Sequence, residues 1–186
     1  MESPFSLLFL ALQQRIDGLM AKHTRYIRFT DLDHGYLKDD VPALAYPAVL
    51  IDLDGTFSQQ GMVTQLGDIT VRLRLVFSAH STTDNLSPRS VAEKGLAYFE
   101  LEHIIHQALQ GWTPTLSTPA DPAKDIMPPD LFGSFSRIAA RTDSRRTDLR
   151  IRELTYKISL QDLSTGRFPQ RHVAELDLQL FFSQPG

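Results

Sequence analysis

The sequence predicts an α+β fold, a mostly antiparallel β-sheet with two helices packed on one face, and three stretches carry that prediction. Ile69, Val71, Leu73, Leu75 and Phe77 alternate with Thr70, Arg72 and Arg74, the period-2 pattern of a strand with one buried face and one wet face. Residues 90–111 place Val91, Gly95, Tyr98, Leu101, Ile105 and Ala108 along one helical face, long and apolar enough to cover that strand. Residues 4–20 repeat apolar positions at Phe5, Leu8, Leu12, Ile16 and Leu19, the three- and four-residue steps of a second amphipathic helix. Ser3 and Pro4 precede it, a helix start in which the proline loses no hydrogen bond.

The remaining elements follow in chain order. Residues 25–30 alternate weakly through Tyr26, Ile27 and Phe29 and read as a short strand near an edge. Residues 48–53, Ala-Val-Leu-Ile-Asp-Leu after Pro47, form a short apolar strand. Asp54-Gly55, with Gly61 and Gly67 further on, supplies the turns that let it return antiparallel as residues 69–77. Residues 78–90 are polar and loop-like. Five prolines, Pro114, Pro119, Pro122, Pro128 and Pro129, exclude regular structure from a loop spanning about 112–133. Residues 135–142 and 149–160 pair as hairpin arms, and the apolar phase slips at Arg152-Glu153, which a β-bulge would explain. Leu176, Leu178, Leu180 and Phe182 mark a last strand.

Composition narrows the function. A chain of 186 residues with 42% hydrophobic and 22% charged residues fits one domain, 1–186. The net charge of −3 gives no general pull toward nucleic acid. Without cysteine there is no disulfide framework, thiolate metal site or thiol nucleophile. The apolar start at 5–12 lacks a basic n-region and a small-residue cleavage site, and nowhere do about 18–20 uncharged apolar residues run together. The expectation is a soluble, unexported protein with no membrane partner.

Four motifs invite chemistry. Asp31-x-Asp33-x-Gly35 has the opening of a calcium loop, but its twelfth position is Pro42 where a bidentate Glu is needed, so a solvated acidic loop of Asp31, Asp33, Asp39 and Asp40 is expected instead. His103 and His106 lie three apart on the polar side of the second helix, with no acidic third ligand expected opposite, and read as solvated. Arg137, Arg141, Arg145, Arg146, Arg150 and Arg152 make the hairpin basic. Asp143, Asp148 and Glu153 are interleaved and no stacking aromatics stand among the arginines, so a charged hairpin is favoured over a nucleic-acid patch. Val49 to Thr56 resembles the first motif of the haloacid-dehalogenase phosphatases, an apolar strand followed by Asp-x-Asp-Gly-Thr; that resemblance implies Asp52 as nucleophile, Asp54 as acid/base and Mg²⁺ beside them. Those enzymes are doubly wound parallel folds, whereas here the motif leads into an antiparallel strand, and Ser78 and Lys94 are poor stand-ins for the later motifs.

The order of elements is similar to that of the tail terminator (tail completion) proteins of long-tailed phages and prophages. It rests on an N-terminal helix, the Pro-preceded strand Tyr46-Pro47-Ala48-Val49-Leu50-Ile51, the alternating strand of 69–77, the helix of 90–111 and closing strands such as 150–160. The resemblance implies a non-enzymatic virion structural protein without cofactors, assembled in the bacterial host cytoplasm into a homo-oligomeric ring, usually a hexamer. That ring would cap the tail tube and meet the head-completion proteins. The expected subunit interface pairs Arg137, Arg141, Arg145 and Arg146 with Asp31, Asp33, Asp39 and Asp40. The alternatives are a Mg-dependent phosphatase and a nucleic-acid-binding module. The loop at 112–133 and the strand after Thr165 depart from compact members of the family.

Overall fold

A computed structural model describes residues 3–38, 44–60, 64–78, 83–84, 86–115, 131–144 and 148–162. The elements are α1 (Pro4–Asp17), β1 (Met20–Ala21), β2 (Thr24–Arg25), β3 (Phe29–Leu32), a 3-10 turn (Tyr36–Lys38), β4 (Ala48–Gln60), β5 (Thr64–Ser78), α2 (Arg89–Leu109), β6 (Ser136–Asp143) and β7 (Leu149–Asp162). β1 and β2 make a small ribbon, and the other strands form one sheet in the order β3-β4-β5-β7-β6. Among the described residues the β3–β4 pair is parallel, and β4–β5, β5–β7 and β6–β7 are antiparallel. The α+β architecture read from the sequence is the observed one. Among the described residues no helix is long and apolar enough to cross a membrane.

Period-2 alternation explains the main core. Ile69, Val71, Leu73 and Leu75 of β5 share a face with Val49 and Ile51 of β4 and with Leu154, Tyr156, Ile158 and Leu160 of β7, all buried. Both helices close over this face, α1 through Leu7, Leu8, Ala11, Leu12 and Ile16 and α2 through Leu101, Ile105 and Leu109. Leu8, Leu12, Ile105 and Leu109 are fully enclosed, and burying a side chain of this size contributes roughly 1.5–3 kcal/mol relative to leaving it exposed.

Three expectations change. The turn placed at Asp54-Gly55 does not occur, because β4 runs on to Gln60 with an unbroken ladder from Ala48↔Val76 to Gln60↔Thr64. Gly55 serves packing instead: a Cβ there would lie 2.9 Å from Ile69 Cδ1 and 3.0 Å from Phe5 Cζ. At Gly67, directly across from Phe57, a Cβ would meet the Phe57 ring at 2.8 Å, so the aromatic side chain covers the strand where the glycine has none.

The bulge expected at Arg152-Glu153 is also absent, since β7 pairs with β5 without interruption from Gln65↔Asp162 to Ser78↔Leu149. The register shift lies on β6, between Arg137 and Ala139. The phase slip in β7 has another cause. Ile151 and Leu149 join Ala48, Leu50 and Val76 in a second core on the opposite face, packed by Phe29, Tyr36, Leu37, Leu44 and Tyr46. At this end both faces of the sheet are dry, so apolar residues need not alternate. The third change is at the N-terminal side: the strand expected at 25–30 is split, with the sheet strand β3 beginning at Phe29 and Arg25 belonging to β2, which a turn at Lys22 and His23, both at positive φ, pairs with β1 instead. The last strand, marked by Leu176 to Phe182, and most of the Pro-rich loop lie outside the described residues.

Candidate assembly surfaces

Of the residues expected at the subunit interface, the four that are described fall at or beside the two edges of the sheet. Asp31 belongs to β3, one edge strand, and Asp33 follows it; Arg137 and Arg141 belong to β6, the other. Asp39, Asp40, Arg145 and Arg146 lie outside the described residues.

The acidic side is bound up locally. Asp31 accepts the Leu32 backbone N–H at 2.8 Å and the Tyr36 hydroxyl at 2.6 Å, and that carboxylate, followed by burial, raises the Tyr36 pKa above its ordinary value. Asp33 accepts Gly35 N–H at 3.0 Å and pairs with the Arg74 guanidinium. Its side chain is only 7% exposed. This is an Asx-type turn joined to an ion pair, and it explains the Asp-x-Asp-x-Gly pattern without a cation.

Arg74 continues the network across the back of the sheet. Its Nε lies 3.4 Å from Glu153 Oε2, and Arg141 Nη2 reaches the other oxygen, Glu153 Oε1, at 2.6 Å. Glu153 is 3% exposed whereas Arg141 is 70% exposed, so Arg141 keeps most of its surface for a further acidic partner. Two residues away on the same strand, Arg72 holds Asp52 at 2.9 Å and Asp54 at 3.5 Å, and the Asp52 hydrogen bond raises the Arg72 pKa. The back of β5 is thus lined with arginine–carboxylate pairs rather than simply wet. The two aspartates of the phosphatase-like motif are paired on an antiparallel sheet, which is not the doubly wound architecture of those enzymes. Among the described residues no group of three or more His, Asp or Glu is placed to hold a metal ion.

On the helix-covered face, Glu102 of α2 receives two arginines. Arg152 Nε donates at 2.7 Å and Arg137 Nη1 lies 3.5 Å away. Arg152 also donates to Thr142 Oγ1 at 2.9 Å and stacks over Phe99 at 5.2 Å. Glu102 itself is only 8% exposed. Sequence reading missed Glu102 and Glu153 as the partners of the basic hairpin. For Glu153 a signal existed, since by alternation it shares a face with the apolar Leu149 and Ile151 of β7; for Glu102 helical periodicity alone gave none.

His106 departs from expectation as well. It is half-buried against Tyr156, whose hydroxyl is 3.5 Å from His106 Nδ1. Burial first, then Arg137 and His103, lowers the His106 pKa, with Glu102 opposing; burial pushes Tyr156 up to about 12. A histidine whose folded-state pKa is depressed contributes stability at pH above its unfolded value of about 6.5. That contribution is lost as the pH falls from there through the folded value. Accordingly, thermal melts at pH 7 and pH 5 should show a larger drop in midpoint for the native chain than for His106→Gln. Equal drops would remove His106 from the acid response.

No protein-family model and no curated protein matches the sequence. Among solved structures the chain is similar to one described as "Virion of native gene transfer agent (GTA) particle", with 12% identity, 87% of this chain and 100% of that chain covered, and a TM-score of 0.47.

Proposed function

We propose that the chain is a structural subunit of a phage or prophage-like tail, a tail terminator that closes into a ring at the head–tail junction. The observation that supports this reading best is the placement of oppositely charged groups at opposite edges of one sheet, with β3 and β6 separated by three strands. A ring needs two different, complementary surfaces on each copy, because only head-to-tail contacts related by rotation close on themselves. In this reading Arg141 and Arg137, with Arg145 and Arg146, face the neighbour's Asp31 side, with Asp33, Asp39 and Asp40 contributing to its field. The element order α1, Pro47-preceded β4, β5, α2 and β7 agrees with the tail terminator resemblance. Six copies around the tail tube, meeting head-completion proteins above, complete the proposal; it involves no catalytic residue, cofactor, membrane or specific nucleic acid.

Light scattering over a concentration series, with negative-stain imaging, tests it. Closed oligomers that weaken with salt are expected, and Arg145→Glu with Arg146→Glu should weaken them further by placing like charges across the contact. A chain that stays monomeric at high concentration and low salt, alone and with tail tube, would sink the ring. The phosphatase reading has its own test in Asp52→Asn. The variant should change only stability, by about 1 kcal/mol or less for a half-exposed ion pair; Mg²⁺-dependent turnover of an aryl phosphate that disappears in the variant would reverse the ranking.

A further inference from the structure

We infer that the outer edge of β6 is an acceptor for a strand, and that the strand it takes is the 176–182 segment of a neighbouring copy. The inference rests on the ring reading above for the presence of a neighbour.

The two edges of the sheet differ. β3 is four residues long, and its backbone is partly engaged by side chains: Gln13 Nε2 donates to Thr30 O at 3.1 Å and Asp31 takes the Leu32 N–H. β6 has eight residues, and all but Asp143 are exposed; near its start the Arg137 N–H donates to Gln110 Oε1 at 3.0 Å, so the acceptor stretch is the part of β6 that follows it. An exposed edge of this length carries alternate N–H and C=O groups ready for another strand. Apolar surface gathers beside it. Ile138 at the β6 bulge is 52% exposed, and α2 offers Phe99 and Leu96, one helical turn apart, at 42% and 45%. Phe99 lies over Arg152 of β7, whose guanidinium bonds Thr142 of β6, so it stands near this edge.

The sequence supplies a matching strand. Leu176, Leu178, Leu180 and Phe182 would share one face, toward Phe99 on the helix-covered side. Asp177 on the other face would stand on the side of Arg141, the exposed arginine. The same copy is poorly placed to deliver it. β7 ends at Asp162, five residues past the Lys157↔Ser136 pair at the start of β6, and the adjoining space beside β7 holds Leu131 to Gly133, bonded to Gln161 and Ser159. A short return could enter only parallel to β6. The better-paired antiparallel direction would require residues 163–175 to reach the Asp143 end, about 38 Å away at ~3.4 Å per residue. The link's maximum is about 45 Å, so it would be nearly straight. A neighbour carries no such constraint.

Backbone hydrogen exchange on the full chain, read at residues 138–143 with and without Leu178→Pro, is the test. At concentrations where the native chain assembles, the outward amides of β6 should exchange at least tenfold more slowly than in the variant, and the protection should vanish on dilution. Assembly of Leu178→Pro should be at least tenfold weaker, with the amides of β5 unchanged as a check that the domain is folded. A synthetic peptide of residues 173–184 added to the variant should restore protection at β6. Equal exchange in the two assembled proteins, no protection by the peptide, or protection that persists in the diluted monomer would each overturn the inference, the last by assigning the edge to the chain's own tail. If Leu178→Pro assembles as the native chain does, this inference falls while the ring stands. If the native chain never assembles, the ring falls, and the peptide decides the edge by itself.

Discussion

Replacing Leu73 by aspartate is expected to leave no cooperative unfolding transition, because the chain will already be unfolded. Leu73 is at the middle of β5, fully buried, paired with Ile51 on one side and Leu154 on the other. The substitution removes one of the core's enclosed leucines, which alone costs about 2–5 kcal/mol. It also places a carboxylate where the neighbouring buried residues are Val71, Leu75 and Leu154, a further penalty of several kcal/mol. The sum is comparable with the ~5–15 kcal/mol that holds a domain together. Arg72→Ala, one residue away on the opposite face, supplies the control. Its side chain is one-third exposed and paired with exposed or half-exposed carboxylates, so its loss should cost about 1 kcal/mol. Denaturant melts that find the two variants equally damaged would mean that the faces of the sheet are assigned the wrong way round.

Glu102→Leu should have the next largest effect, a loss of about 2–4 kcal/mol in denaturant melts. The carboxylate is 10% exposed and its first partner Arg152 12% exposed, and removing one member of a buried pair leaves the other charge uncompensated. Thr142 and the Phe99 ring remain to Arg152, which places the loss below that of a wholly enclosed pair. Arg137, more exposed at 32%, would be released rather than stranded. Under the proposed head-to-tail assembly the freed Arg137 should raise the salt sensitivity of association. A variant as stable as the native chain would show that water already shields Arg152.

Several features were legible in the residues because they depend on neighbours along the chain. The alternation of 69–77 and the helical spacing of α1 and α2 state which face of each element is apolar, and an apolar face must be covered. The α+β class, the antiparallel β4–β5 and β6–β7 pairs and the placement of both helices on one face follow from that requirement. The basic and acidic residues could be named from sequence too, but not what they touch.

What only the tertiary structure decided concerns residues brought together from far apart. Gly55 reads as a turn beside Asp54, and it is a strand residue because Phe5 from α1 and Ile69 from β5 close over it. The phase slip at Arg152-Glu153 reads as a bulge, and it is a change of environment produced by Tyr36, Leu37 and Tyr46 packing on the back of the sheet. Glu153 and Glu102 meet their arginines across strands and across the helix–sheet interface, at separations of 79 residues for Arg74–Glu153 and 50 for Arg152–Glu102. Local periodicity reports which side of an element is wet or dry at short range. Whether a charge is solvated or paired depends on which distant segment the fold lays against it, and a single sequence holds no record of that contact until the sheet order is known.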